Sequence, residues 1–453
     1  MTGLTESLSR FVAEFRALPG EAARIVKTGF IDTVATMGAG RDEPVVRIVR
    51  QFVAARKSAA REARVVLGAG MAASADAALI NATAGHALDY DDVALGGHPS
   101  TVLVPAVLAE GEYLGACGAD ALRAYLVGYE VWAELFSREP DPYHVKGWHP
   151  TAVLGTVGAA AAVAHLHKLP ADDCRNALAL AASMASGLVA NFGTMAKPLH
   201  AGRAAACAIE AVRLAANGLT AAPDAIEHHA GHLAALSPRG RADRTGPASG
   251  LGNKLRILES GLSIKKYPMC YATHRVIDGV LDLVKANGVD PGDVKEAHAS
   301  VGVAQASMLR NHSPATGLEA KFSLEFAVAS ALVARSVGLR ELTDGFVAQP
   351  RVRETMAKVR TSTTDTRCPI EPMFALADRV AIELKDGRRL DSGEIRFARG
   401  NAKLPLQEAE LKAKFLDCTS GAGHLDAAAL YERLDRLEEQ DSLRALVPQT
   451  AAA

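Results

Sequence analysis

Aromatic residues are scarce in this chain, 5% of 453 residues, with only two tryptophans. A core with so few large rings has to be built from small and aliphatic side chains, which suits helices that approach one another closely. Net charge is also missing: 50 Lys+Arg against 51 Asp+Glu leave a formal charge of −1. That balance argues against nucleic acid as the main partner, because phosphate backbones draw strongly basic faces. The six cysteines, Cys117, Cys174, Cys207, Cys270, Cys368 and Cys418, include no C-x-x-C pair. A zinc ribbon is therefore not expected, and a reduced, cytoplasmic setting is simpler than a disulfide framework. Long apolar runs are absent too. The longest, Thr151 to Leu166, is too short and too rich in Ala and Gly to span a bilayer, and the N-terminal stretch lacks the apolar centre of a secretory signal. No membrane partner is expected. The P-loop, the G-x-S-x-G elbow and HExxH are all missing.

What is present is helical periodicity. From residue 1 to about 236, segments such as Glu21–Gly38, Ser74–His86, Leu103–Leu114, Ala119–Phe136, Thr151–His167 and Gly202–Asn217 repeat apolar residues at three- and four-residue spacing. Ser237–Lys254 is polar and rich in Gly, Pro and Arg, the composition of a linker or a surface loop. Beyond it, Lys295–Ala306, Arg379–Lys385 and Arg389–Ile395 read as strands, the last two joined by an Asp386-Gly387 turn, with helices over Thr273–Ala286 and Phe322–Val337 between. The tail from Leu406 returns to amphipathic helix. The expected fold is mainly α. A large all-helical domain takes residues 1–256 with 403–453, and a smaller α+β domain takes 257–402.

Three segments share one grammar: Gly97-His98-Pro99-Ser100-Thr101, Trp148-His149-Pro150-Thr151 and Ala196-Lys197-Pro198-Leu199-His200. Each sets a basic residue before proline, ahead of a helical stretch, so His98, His149 and Lys197 are expected near helix N-termini. The helix dipole is positive there and favours anions. Three such elements point to a pocket in which backbone amides and basic side chains face a small anion, with the histidines kept neutral enough to act as bases. Just upstream, Asp89-Tyr90-Asp91-Asp92 packs three carboxylates into four positions. Their repulsion is relieved by a metal ion, by the basic residues, or by solvation at a helix end. The metal reading is the weakest: the segment lacks the further acid of a DDxxD motif, and no second metal motif follows. In the middle block, Lys265-Lys266-Tyr267-Pro268-Met269-Cys270-Tyr271-Ala272-Thr273-His274 is dense in polar chemistry.

Taken in order, LDYDD, GHPST, GWHPTAVLG, NFGTMAKPLHAGRAA, KKYPMCYATH and EAKFSLEFAV resemble the MmgE/PrpD family, which includes 2-methylcitrate dehydratase, cis-aconitate decarboxylase and iminodisuccinate epimerase. The resemblance implies an all-helical domain with a smaller α+β lid, a homodimer, and a small polycarboxylate bound in the cleft without metal or organic cofactor. It carries the family's active-site aspartate onto Asp89, its two histidines onto His98 and His149, its pre-proline lysine onto Lys197 and its lid lysine onto Lys265. Lys266, Arg203, Tyr143 and His200 are the accompanying substrate-binding candidates. The implied roles are His149 as principal base, His98 as second acid or base, Lys197 and Lys265 as carboxylate clamps, and Asp89 as an orienting group. Phe326 stands where the decarboxylase branch has a tyrosine. That difference favours a dehydratase or epimerase over a decarboxylase, with a silent carboxylate binder as the alternative.

Overall fold

The alanine-rich segments fold as helices that cross at very short range. The structure, a computed structural model, describes residues 3–447 apart from 69, 372, 423 and 424. It divides into two compact units: residues up to Ile264 together with those from Gln407 onward, and Lys265–Leu406. The first unit is helical and the second is α+β, so the chain is mainly α with a smaller α+β part. The end of the expected helical domain, residues 448–453, lies outside the described residues.

Unit 1 opens with α1 (Leu4–Glu14), α2 (Gly20–Gly40) and α3 (Pro44–Ala54). A two-residue ribbon follows, β1 (Ala63–Arg64) against β2 (Met71–Ala72). Next come α4 (Ser74–His86), α5 (Ser100–Leu114), α6 (Gly118–Ser137), α7 (Pro150–Leu166), α8 (Ala171–Met184), α9 (Ala196–Ala216) and the short α10 (His232–Leu236) and α11 (Arg256–Ser260). Every residue of α7 is buried. A helix apolar on all sides has to sit at the centre of a bundle, and its Gly and Ala residues set how near its neighbours come. On α6, a Cβ at Gly128 would meet the Gly158 carbonyl oxygen of α7 at 2.6 Å. Any side chain there would push the two helices apart.

The Ser237–Lys254 stretch is a surface loop of this unit. Arg138 donates to the Asp243 and Gly246 carbonyls, and Arg241 donates to Asp141. Its polarity therefore reflects anchored backbone, and the break between units comes later, after Ile264.

Unit 2 holds α12 (His274–Asn287), β3 (Val294–Gly302), α13 (Val303–Met308), α14 (Gly317–Ala320), α15 (Leu324–Val333), α16 (Asp344–Val347), α17 (Pro350–Met356), β4 (Val359–Thr364), β5 (Arg379–Leu384) and β6 (Arg389–Asp391). The four strands run in the order β4-β3-β5-β6, with β3 parallel to β4 and antiparallel to β5. Asp386-Gly387 makes the β5–β6 turn, with Gly387 at φ +89° where a Cβ is strained. The strand expected over Lys295–Ala306 stops at Gly302, whose amide is taken by the Gln305 side chain at 2.9 Å, and the chain continues as helix. Val276, Val280, Phe326, Leu332, Val380 and Ile382 share one core between helices and sheet. The chain then returns to unit 1 with α18 (Glu408–Thr419) and α19 (Ala427–Asp435). Among the described residues, no helix is long and apolar enough to cross a membrane.

Candidate active site

Four turns of unit 1 converge. His86 ends α4, and the chain reverses through Asp89, whose φ of +53° lies in the left-handed region. Aspartate tolerates that region better than most residues, at a cost of about 1–3 kcal/mol. Ala94 and Gly97 then pair across a tight turn in which Leu95 and Gly96 both have positive φ. Gly97 is pressed against the start of α7: a Cβ there would meet the Thr151 amide nitrogen at 2.9 Å and the Trp132 ring at 3.1 Å. The turn delivers His98 two residues before α5. His149 is the residue before α7, and its amide donates to the Gly187 carbonyl. Lys197 is the second residue of α9.

The three basic residues thus stand at helix starts. The Ser100 amide and hydroxyl both donate to Asp92, and the Ala196 amide donates to Thr194, so the first amides of α5 and α9 are engaged within the chain. The contacts among these elements run through side chains. Lys197 Nζ lies 2.6 Å from Asp89 Oδ1 and 5.4 Å from the centre of the Phe192 ring. His98 Nε2 is 3.7 Å from the same Asp89 oxygen, and its Nδ1 is 3.1 Å from Asp91 Oδ2. Asp91 also receives His86 Nδ1 at 2.9 Å. His149 and His200 bring their Nδ1 atoms to 3.2 Å, so one donates and the other accepts. The His149 ring also packs against Phe192 and His86, with ring centres 4.8 and 5.9 Å away.

Exposure grades this cluster. Asp89, Lys197 and His98 keep 12–14% of their side-chain surface, while His86 and Asp91 keep none.

The three close carboxylates are relieved in three different ways. Asp89 carries an ammonium. Asp91 is held well below the usual carboxylate range by His86 and His98, against the upward pull of burial. Asp92 is pushed well above that range by burial and by Asp32 and Asp91, so its proton is held more tightly than on an ordinary carboxyl. His86, Asp89, Asp91 and His98 also offer one donor atom each within 4.8 Å, the arrangement a divalent cation would use. Here the Lys197 ammonium supplies positive charge beside Asp89.

Burial is the leading cause that lowers the pKa of His149 and of His86. His149 lies well below the ordinary imidazole value, first through desolvation and then through nearby His86, Lys197, His98 and His200. His86 falls to about 4 for the same leading reason, with Asp91 opposing. Burial, rather than the helix dipole, is the principal cause. It follows that acid should loosen unit 1. Between the ordinary value of 6.5 and about 4, the unfolded chain holds a proton on His86 that the folded chain refuses. Stability is expected to fall by about 3 kcal/mol as pH drops through that window, and to lose nothing further from this residue below it. Urea midpoints across the window check this. His86→Gln should flatten the slope, and an equally steep slope in that variant would refute the assignment.

Not every candidate joins the cluster. Tyr143 is buried with its hydroxyl directed to the Leu135 carbonyl at 3.3 Å, while the adjacent His144 faces Phe192 at 6.1 Å. In the short turn Tyr143–Lys146 the larger apolar ring goes to the core. Arg203 is exposed on α9 and directs its guanidinium to Cys207 Sγ at 3.2 Å. Six residues from Lys197, it lies on another side of the helix. Lys265 and Lys266 open unit 2, just before Tyr267, whose hydroxyl donates to Asp278 at 2.6 Å. Phe326 is fully buried in the unit 2 core, edge-on to Phe346. A phenylalanine there bears on packing, so its difference from tyrosine is no argument against decarboxylation. Asp91, one of the three acids whose relief the sequence left open between a metal, basic residues and solvation, has histidines as its partners, and His86 and His144 adjoin the cluster without having been among the expected site residues. A carboxylate five residues beyond a helix-ending histidine was the available signal.

Known proteins match this chain along most of its length. The model for the MmgE/PrpD N-terminal domain matches residues 6–245, and that for the MmgE/PrpD C-terminal domain matches 267–439. The cis-aconitate decarboxylase of Mus musculus is 30% identical over 352 residues, 75% of this chain and 70% of that protein. The cis-aconitate decarboxylase of Homo sapiens is 29% identical over 350 residues, 75% and 71% of the two chains. That of Aspergillus terreus is 26% identical over 346 residues, 71% and 69%.

Proposed function

The chain belongs to the MmgE/PrpD family, and on that premise we propose that it is a lyase acting beside a carboxylate of a small tricarboxylate, with decarboxylation of cis-aconitate as its first candidate reaction. The observation that carries this reading is the set of four groups around Asp89: an ammonium at 2.6 Å, His98 at 3.7 Å, and the buried His149 and His86 beyond them.

Loss of carbon dioxide leaves an electron pair conjugated with a remaining carboxylate. Lys197 is placed to leave Asp89 for that carboxylate and to stabilise the growing charge. The carbon then needs a proton. His98 is the donor in this reading, because Asp91 beside Nδ1 orients the ring and leaves Nε2 to exchange a proton with the substrate. His149, buried among cations and held neutral, is the complementary base. Two histidines in such different surroundings divide acid and base work between them.

Decarboxylation itself needs no base, and the neutral His149 therefore favours a second reading. Proton removal beside a carboxylate followed by loss of hydroxide is dehydration, and return of the proton from the other face is epimerisation.

Proton NMR in D2O with cis-aconitate, citrate, 2-methylcitrate and iminodisuccinate separates these outcomes. Decarboxylation yields a terminal alkene whose molecule has taken up one deuterium from solvent, dehydration yields an internal alkene, and epimerisation yields the other stereoisomer with deuterium at the inverted carbon. No conversion or exchange from the folded protein with any of them rejects the catalytic reading in favour of carboxylate binding alone. Turnover is expected to be unchanged by EDTA, and loss of activity on chelation with recovery on added magnesium would overturn the assignment of charge neutralisation to Lys197.

A further inference from the structure

Unit 1 holds a cavity of about 250 Å³ that no residue of the catalytic cluster lines. Its polar lining is Arg16, Asp120, Arg123, His165 and Lys168. Arg16 lies just beyond the end of α1, Asp120 and Arg123 on the first turns of α6, His165 on the last turn of α7, and Lys168 in the turn that follows. Three permanent cations thus face one carboxylate. Asp120 divides itself between Arg123 at 2.8 Å and Lys168 at 3.4 Å, so positive charge remains in excess.

The guanidinium of Arg123 is fixed by donation from Nε to the Arg16 carbonyl at 2.9 Å. Arg16 is itself tethered through one nitrogen to the Ala13 and Phe15 carbonyls at 2.8 Å. These contacts hold the cationic groups in place before any ligand arrives, which lowers the ordering cost of binding.

His165 defines what else a ligand must offer. Its Nδ1 lies 2.7 Å from the Val12 carbonyl, an acceptor only, so Nδ1 carries the hydrogen and Nε2 keeps its lone pair. Burial is the first cause that holds this ring neutral, and Arg16 and Arg123 add to it. A neutral acceptor beside three cations is an odd match for a bare anion. It suits an anion that also brings a hydroxyl hydrogen.

We propose that this cavity is a second ligand site, and that it takes a small hydroxy-carboxylate: carboxylates toward Arg16, Arg123 and Lys168, hydroxyl toward His165 Nε2.

The test is calorimetric titration of the full chain with malate, and with succinate as the analogue lacking the hydroxyl. Lys197→Met silences the catalytic cluster, so one binding event should survive in that variant. Adding Arg16→Gln and Lys168→Gln, both exposed changes, should weaken malate at least tenfold, and succinate should bind at least tenfold more weakly than malate. Should Lys197→Met fail to fold, the unaltered chain is titrated instead, and the Arg16→Gln/Lys168→Gln pair should remove one of two binding steps. Malate binding indifferent to that pair, or no malate binding outside the catalytic cluster, overturns the proposal. Failure here leaves substrate conversion by NMR untouched, so the two readings fall separately.

Discussion

Asp91→Asn is expected to lower kcat by roughly 10³–10⁴-fold, the scale seen when the carboxylate that orients a catalytic histidine is made neutral. Asp91 is fully buried and touches His86 and His98 rather than solvent, so KM should change little. The amide would be nearly the same size. Yet it offers a hydrogen-bond donor where two imidazoles now find only acceptors, and it forces at least one ring into the other tautomer. A flattened pH profile of kcat should accompany the loss, whereas a residue acting only on packing would leave the profile unmoved. The measurement is steady-state turnover on whichever tricarboxylate the NMR experiment identifies. Turnover within tenfold of the unaltered chain, from a variant with an unchanged melting curve, would remove Asp91 from the mechanism and leave His98 without an orienting partner.

Lys414→Met should destabilise unit 1 by about 3–5 kcal/mol, the usual cost of stranding one member of a buried ion pair. Lys414 lies on α18 and donates to Asp32 at 2.6 Å and to the Tyr90 carbonyl at 2.9 Å, with the ammonium 3.9 Å from the centre of the Tyr90 ring. Its side chain is 4% exposed and that of Asp32 not at all. Burial lifts the Asp32 carboxyl above its ordinary value even with the lysine beside it, so desolvation already outweighs attraction at this pair. Removing the cation leaves Asp32 close to Asp91, with a backbone hydrogen bond from Asp92 to set against the repulsion that remains. The double variant Asp32→Asn/Lys414→Met should recover most of the loss, because no charge is then stranded. Urea unfolding of the four proteins measures the coupling. Additive effects of the two changes would show that the pair contributes no more than its separate packing.

The sequence made some of this arrangement legible, and the reasons differ by residue. His98, His149 and Lys197 were readable because proline beside a basic residue fixes local backbone, and local backbone is what short motifs encode. The β5–β6 hairpin was readable for the same reason, through Asp386-Gly387. Strand β4 was not. Its residues, Val359-Arg360-Thr361-Ser362-Thr363-Thr364, are polar and largely exposed, and what makes them a strand is a parallel partner some sixty residues earlier. His86 escaped because its importance lies in burial, and a helix buried along nearly its whole length, such as α4, has no polar face to give contrast. Tyr143 and His144 differ by one position, and only the packed turn decides which of them faces inward. Arg203 is exposed on α9, and its place on the helix follows from turning six residues on from Lys197 rather than from nearness in sequence.

Unit 1 is assembled from both ends of the chain, with Lys414 on the returning segment reaching Asp32 and Tyr90 beneath the catalytic turn. On the ribosome this imposes an order. Lys265–Leu406 emerges as one uninterrupted stretch and has all its internal partners before α18 is made, whereas Asp32 and the turn at Tyr90 wait for α18 with their cation still unmade. Nascent chains stalled before residue 407 should therefore carry a protease-sensitive first half, and chains extended past α18 should not.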